Sequence, residues 1–266
     1  MKILLDNDIL IKKYYGSSSE KEKIEEIIKN NNLFILNLTL SEFKRTVIRD
    51  LVFFYNDLIK FYTTNQTEVK NDFQILKDFL LNYKRDYGVH AKGRFKGYIV
   101  LIYDTIINNF ELLSNIQKMD FILELLKSQI QDYREIYIKN INLIEDAINC
   151  EHNIFEPVLI DNKFEQIVVS CIDCEKEKLT YIFNKYKTEI SLILRSNISN
   201  KIVDCLKYIS DLEEFKYIKG SKHVCINLFD LFLILNCPYG FTIFTSNYLH
   251  FNEFCNLLKK PAIYLN

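Results

Sequence analysis

Met1-Lys2-Ile3-Leu4-Leu5-Asp6-Asn7-Asp8-Ile9-Leu10-Ile11 is the stretch on which the fold turns. Ile3 to Leu5 is a short apolar run that stops at Asp6, the pattern of a strand buried on both faces of a parallel sheet that ends on a polar residue. Open α/β sheets bind their ligands at that carboxyl edge. The bland reading of Asp6 is a strand-end cap. Asp6, Asn7 and Asp8 in a row are more polar than a cap requires, and they point to chemistry.

Outward from this strand, Ile9 to Tyr15 reads as a short helix or turn, broken at Gly16-Ser17-Ser18-Ser19. Ser19 is the expected cap of a helix from Glu20 to Asn30, with Ile24, Ile27 and Ile28 on one face. Leu33 to Leu38 reads as a second buried strand. Thr39 or Ser41 is then expected to cap the next helix, which puts Glu42 in a first turn where the macrodipole favours a carboxylate. At the far end of the chain, Asn227 to Leu235 is an apolar helix carrying one acid, Asp230, and Phe241 to Phe244 is a third buried strand ending in Thr245-Ser246-Asn247. A helix at Asn252 to Leu258 and a strand at Ala262 to Leu265 complete the pattern. The two ends of the chain read as halves of one α/β sheet.

Between them, from Ser41 to Phe215, apolar residues follow helical spacing almost without interruption, Ile141 and Ile144 included. Breaks are expected at Thr63-Thr64-Asn65, over Gly88 to Gly97 and from His152 to Pro157, with a small hairpin at Asp161-Asn162. The expected organisation is an α/β domain of residues 1–62 and 218–266, split by an all-helical insertion of residues 63–217.

A chain that is 48% hydrophobic and 26% charged, with three prolines and six glycines, is ordered and helix-rich. The formal net charge of −1 gives no global field for nucleic acid, so any such partner must be held by a local patch. The seven cysteines (150, 171, 174, 205, 225, 237, 255) are too scattered for a disulfide framework and suit a reducing cytoplasm. Lys2 is followed by only three apolar residues, unlike a signal peptide, and no run approaches the roughly 18 apolar residues of a membrane span. A soluble, cytoplasmic protein with no membrane partner is expected.

The terminal pieces together resemble the PIN-domain family of metal-dependent nucleases. Leu5-Asp6-Asn7-Asp8-Ile9-Leu10-Ile11 resembles its first motif and Ser41-Glu42-Phe43 its second. Asp230-Leu231-Phe232-Leu233-Ile234, followed by Gly240-Phe241-Thr242-Ile243-Phe244-Thr245-Ser246-Asn247, resembles its third and fourth, with Asp230 and Asn247 17 residues apart. Two departures stand out: Asn247 takes the place of the family's final acid, and Asp8 that of its usual asparagine. The resemblance implies a PIN-like three-layer fold with a mostly parallel sheet. It also implies a Mg²⁺- or Mn²⁺-dependent phosphodiesterase, usually an endoribonuclease, and by analogy a homodimer. Asp6, Glu42 and Asp230 would ligate the ion and Asp8 or Asn247 would orient water or assist a second ion; Thr245 and Ser246 are expected either to touch a phosphate or to cap the following helix. Hard divalent cations do take carboxylate oxygens, lower the pKa of bound water and neutralise phosphate charge.

Residues 84–96 hold five Lys or Arg against one Asp, interleaved with Tyr87 and Phe95. Lys84, Arg85, Lys92, Arg94 and Lys96 form a candidate substrate-binding loop against the plainer reading of a solvated surface loop. Cys171-Ile172-Asp173-Cys174 is a lone C-x-x-C for which His223 and Cys225 would be needed to complete a zinc site; idle thiols are preferred. His250, three residues past Asn247, is open to the cleft or to the surface, and surface is preferred. The leading expectation is a metal-dependent endoribonuclease of toxin, RNA-processing or phage-defence type. The alternatives are a catalytically weak PIN-like scaffold that binds a protein partner through its helical insertion, and a DNA or flap-type nuclease.

Overall fold

The computed structural model describes residues 1–83, 112–145, 155–168, 176–198, 201–210 and 222–265. Its frame is a five-stranded, all-parallel sheet in the order β3-β2-β1-β6-β7, comprising β1 (Lys2–Leu5), β2 (Asn32–Leu36), β3 (Asn142–Ile144), β6 (Phe241–Thr245) and β7 (Ala262–Tyr264). β1 is central and pairs with β2 on one side and β6 on the other, which is why Ile3, Leu4 and Leu5 are all apolar. From β1 the chain runs outward through β2 and β3, and on the other side through β6 and β7. The order therefore reverses between β1 and β6, the place where open α/β sheets leave a crevice at the strands' carboxyl ends.

Strand alternation separates two apolar layers. Ile3, Leu5, Leu33, Ile35 and Phe244 face a cluster built with α1 (Asn7–Tyr15), α2 (Ser18–Ile28), α3 (Asn37–Phe43), α4 (Arg49–Asn71), α5 (Gln74–Asn82) and α6 (Asn115–Gln131). A five-residue helix, α7 (Tyr133–Tyr137), closes that side, where Tyr14 and Tyr15 of α1 bond to Tyr137. Leu4, Leu36, Phe241 and Ile243 face the other cluster, built with α9 (Lys187–Leu194), α10 (Lys201–Ser210), α11 (Lys222–Asn236) and α12 (Tyr248–Leu257), with Ile182 of α8 (Lys176–Lys185) joining it. Helices on both faces of the sheet make an α/β architecture of three layers. Among the described residues no helix is long and apolar enough to cross a membrane.

Several expectations need correction. Residues 63–217 are not all helical, because Asn142–Ile144 forms β3 on the sheet edge. On three residues, with Leu143 exposed and Ile144 half-buried, periods of 2 and 3.6 cannot be told apart. The break at Thr63-Thr64-Asn65 is a kink within α4, where Asn65 leaves helical φ/ψ. There the Thr63, Thr64 and Asn65 side chains bond back to carbonyls a turn earlier, competing with the helix's own donors. Ser17, rather than Ser19, caps α2, through a capping box with Glu20.

The hairpin expected at Asp161-Asn162 is present as β4 (Phe155–Ile160) and β5 (Lys163–Val168), antiparallel, with positive φ at both turn residues. Asn56 of α4 ties it down by acting as a strand neighbour. Its amide nitrogen donates to the Phe164 carbonyl at 2.8 Å and its oxygen accepts the Phe164 N–H at 2.9 Å, with Tyr55 packed edge-on to the Phe164 ring. Asn56→Ala leaves both backbone groups unpaired in a half-buried place, at a cost of about 1–3 kcal/mol. A lowered Tm together with faster amide exchange at Phe164 is the expected result; unchanged exchange would show that the side chain does not hold the hairpin.

Candidate active site at the carboxyl edge of the sheet

The end of β1 and the end of β6 are joined by side chains. Asp6 caps α1, its Oδ1 accepting the Asn7 N–H at 2.7 Å, and its Oδ2 accepts the Thr245 hydroxyl at 2.7 Å. Thr245 is fully buried and its Oγ1 also accepts the Asn247 N–H at 3.0 Å, so one hydroxyl links β1, β6 and the start of α12. Asp8 lies in the first turn of α1, where the Ser246 hydroxyl reaches it at 3.4 Å. Asp230 comes from α11, the single charge in the otherwise buried run Leu228 to Leu235. Its Oδ2 meets Nδ1 of His250 at 2.7 Å and the side-chain nitrogen of Asn247 at 3.4 Å.

Glu42 reaches the same edge, but from the end of α3 and not from a first turn, because α3 begins at Asn37, directly after β2. The expected dipole stabilisation is therefore absent. After Phe43 the helix widens into a π-helical turn, Lys44–Ile48, and the Thr46 hydroxyl bonds back to the Glu42 carbonyl at 2.8 Å. Such wide turns recur at functional sites because they re-aim neighbouring side chains.

The carboxylates act on one another. Burial pushes Asp6 well above the usual carboxylate range, and Asp230, Asp8 and Glu42 push it further, while the Thr245 hydrogen bond pulls it back. Burial, then Asp230, raises Glu42 to about 7, against the pull of Arg45; Asp8 adds to the rise and the Asn7 amide opposes it. Asp230 is raised by burial and by Asp8, although His250 draws it down. Four acids on three segments, the start of α1, the end of α3 and α11, thus share one electrostatic neighbourhood. Two of them, Asp8 and Glu42, line a cleft of about 740 Å³ whose walls also include Asn7, Thr46 and Ser246 and which runs along α1 to Tyr15 and the Lys12–Glu20 ion pair.

The donor set suits a hard divalent cation. It is all oxygen, it is acid-rich, and it contains Asn7, 4% exposed, whose Oδ1 has no hydrogen-bond partner. A buried orphan oxygen beside mutually repelling carboxylates is an environment that favours positive charge. Among the described residues, no three His, Cys, Asp or Glu side chains already stand close enough together to hold an ion. Binding would require the side chains to draw in.

Of the residues singled out in the sequence, the structure brings together Asp6, Asp8, Glu42, Asp230, Thr245, Ser246 and Asn247. Thr245, expected at a phosphate or as a cap of the following helix, is sealed between Asp6 and Asn247, where its Oγ1 accepts the N–H of the residue that precedes α12. Asn247 precedes α12, which starts at Tyr248 and not at Asn252, and its side chain turns to Asp230 in place of capping the helix. His250 is not an idle surface residue but the partner of Asp230. Its signal in the sequence was its position three residues past Asn247, on the first turn of that helix. Asn7 gave no signal beyond its neighbours. Lys84, Arg85, Lys92, Arg94 and Lys96 lie outside the described residues, as do Cys171 and Cys174, and His223 and Cys225 fall on α11. Compared with known proteins, the chain matches no family model, no curated protein and no solved structure.

Proposed function

We propose that this chain is a metal-dependent phosphodiesterase of PIN-like design that hydrolyses RNA. The observation that carries the reading is the convergence of Asp6, Asp8, Glu42 and Asp230 at the point where the strand order reverses, with Asp8, Glu42 and Asp230 each raising the proton affinity of at least one other acid. A bound Mg²⁺ or Mn²⁺ supplies an acidified water and neutralises charge on a phosphate. Glu42, Asp230 and Asp6 are the residues that would hold it. Glu42, poised near neutrality, carries a proton when no positive charge is near and releases it when a cation arrives. Asp6 keeps the start of α1 and the end of β6 together and offers its remaining lone pairs. Asp8, exposed at the cleft and reached by Ser246, is placed to orient water, and Lys12 lies further along the groove for a backbone phosphate.

The test is cleavage of matched labelled RNA and DNA with Mn²⁺, Mg²⁺ or EDTA. RNA cleavage that needs the ion and stops with EDTA is the expected result. Cleavage of DNA alone would favour the DNA or flap-type reading, and no cleavage by folded protein with either ion would overturn the proposal. One observation favours the scaffold reading: the acids are not already closed around an ion site, and Asn247 adds no charge to them. That reading predicts no carboxylate-dependent Mn²⁺ uptake, with residues 63–217 as the surface for a protein partner.

A further inference from the structure

We propose that His250 is a positioning residue for Asp230, setting the affinity of the carboxylate cluster for a divalent cation; this deepens the metal-site reading and rests on it. Asp230 stands on α11 among buried apolar neighbours, and only one edge of its carboxylate is held. Both donors to that edge come from the start of α12. His250 Nδ1 lies 2.7 Å and the Asn247 side-chain nitrogen 3.4 Å from the same oxygen, Oδ2. Oδ1 has no hydrogen-bond partner among the described residues. Two donors on one oxygen fix the plane of the carboxylate and leave the other oxygen for a cation. An isolated carboxylate on a helix would rotate about χ2 and lose that orientation.

Outer-shell partners of this kind orient ligands to metals, and their loss typically weakens metal affinity by about 10–100-fold. With its proton on Nδ1, the imidazole donates to the carboxylate. A second, independent feature points to a cation at the same edge: Asn7 is 4% exposed, lines the cleft with Asp8 and Glu42, and its Oδ1 is unpartnered. The His250 ring itself is more than half exposed, so its removal opens no cavity in the core.

The experiment is Mn²⁺ binding to the full chain, read from the electron paramagnetic resonance of free Mn²⁺. The wild type is compared with His250→Ala, His250→Asn, His250→Gln, Asp230→Asn and the double variant Asp230→Asn/His250→Ala. His250→Ala is expected to weaken binding about 10–100-fold. Asn places an N–H where Nδ1 stands and is expected to restore most of the affinity. Gln places its donor where Nε2 stands and is expected to behave like Ala. On the Asp230→Asn background, removing His250 is expected to have no further effect. Equal or tighter binding by His250→Ala, or rescue by Gln in place of Asn, overturns the proposal while leaving the metal site standing. A folded wild type that takes up no Mn²⁺ overturns both.

Discussion

Replacing Glu42 by Gln is expected to abolish metal-dependent cleavage, by about 10³-fold or more, and at the same time to raise the Tm of the metal-free protein. The two effects have one cause. Glu42 is raised to about 7 first by burial and then by Asp230, so at neutral and alkaline pH its ionisation works against the fold. Gln has nearly the same shape and no charge. It removes the repulsion and with it a ligand for positive charge, a trade between stability and activity common at functional sites. The stabilisation expected above pH 7 is about 1–2 kcal/mol, or a few degrees in Tm.

The pH dependence fixes the sign. Glu42 binds its proton more tightly in the folded state (about 7) than in the unfolded chain, where the ordinary value is 4.5. Between those two values the native state holds more protons than the unfolded one, so stability falls as pH rises. Below the lower value both states are protonated and Glu behaves as Gln. The Tm difference between Glu42→Gln and wild type should therefore be small near pH 5, widen through pH 7 and level off above it. Mn²⁺ should raise the wild-type Tm most at high pH and the variant's little, because an ion stabilises only the state that binds it. A variant with lower Tm than wild type at pH 8 would show that Glu42 is held by partners and not crowded by acids.

The legible parts of this chain were those with strong patterns. Ile3 to Leu5 and Phe241 to Phe244 read as buried strands because each is a short apolar run bounded by polar residues, and each hands its next residues to a sheet edge; the bond between Asp6 and Thr245 across that edge was not read. Asp230 was readable because a lone charge in an apolar helix is costly unless something meets it. What met it, His250, was not, since an exposed imidazole on a first turn is usually solvated. The role of Asp6 was legible only in part. Both the cap and the cluster exist, and the sequence offers no way to weigh a hydrogen bond to Asn7 against repulsion from acids up to 224 positions away. Glu42 was found for a wrong local reason: the strand before it is shorter than its apolar pattern, and α3 starts earlier than Thr39 or Ser41 suggest. β3 escaped notice because three residues carry no period.

Thr245→Val is expected to destabilise the protein by about 2–4 kcal/mol, an unusually large effect for the loss of one hydroxyl oxygen at constant shape. Val keeps the β-branch that suits β6. It leaves the Asp6 carboxylate, only 6% exposed, without the donor on Oδ2, and it leaves the Asn247 N–H without an acceptor. Thr245→Ser keeps both bonds and should cost only about 1 kcal/mol, for the buried methyl. In a double-mutant cycle with Asp6→Asn, the Val substitution should cost about 1–3 kcal/mol less, because the charge it strands is gone. Equal costs on both backgrounds would mean that the hydroxyl serves Asn247 alone. The same pair separates the two roles of Asp6. If Thr245→Val lowers Tm and leaves Mn²⁺ affinity unchanged while Asp6→Asn lowers both, Asp6 holds the ion through lone pairs that Thr245 does not use. If neither variant changes Mn²⁺ affinity, Asp6 is the cap of α1 that ties it to β6, and the ion belongs to Glu42, Asp230 and Asp8.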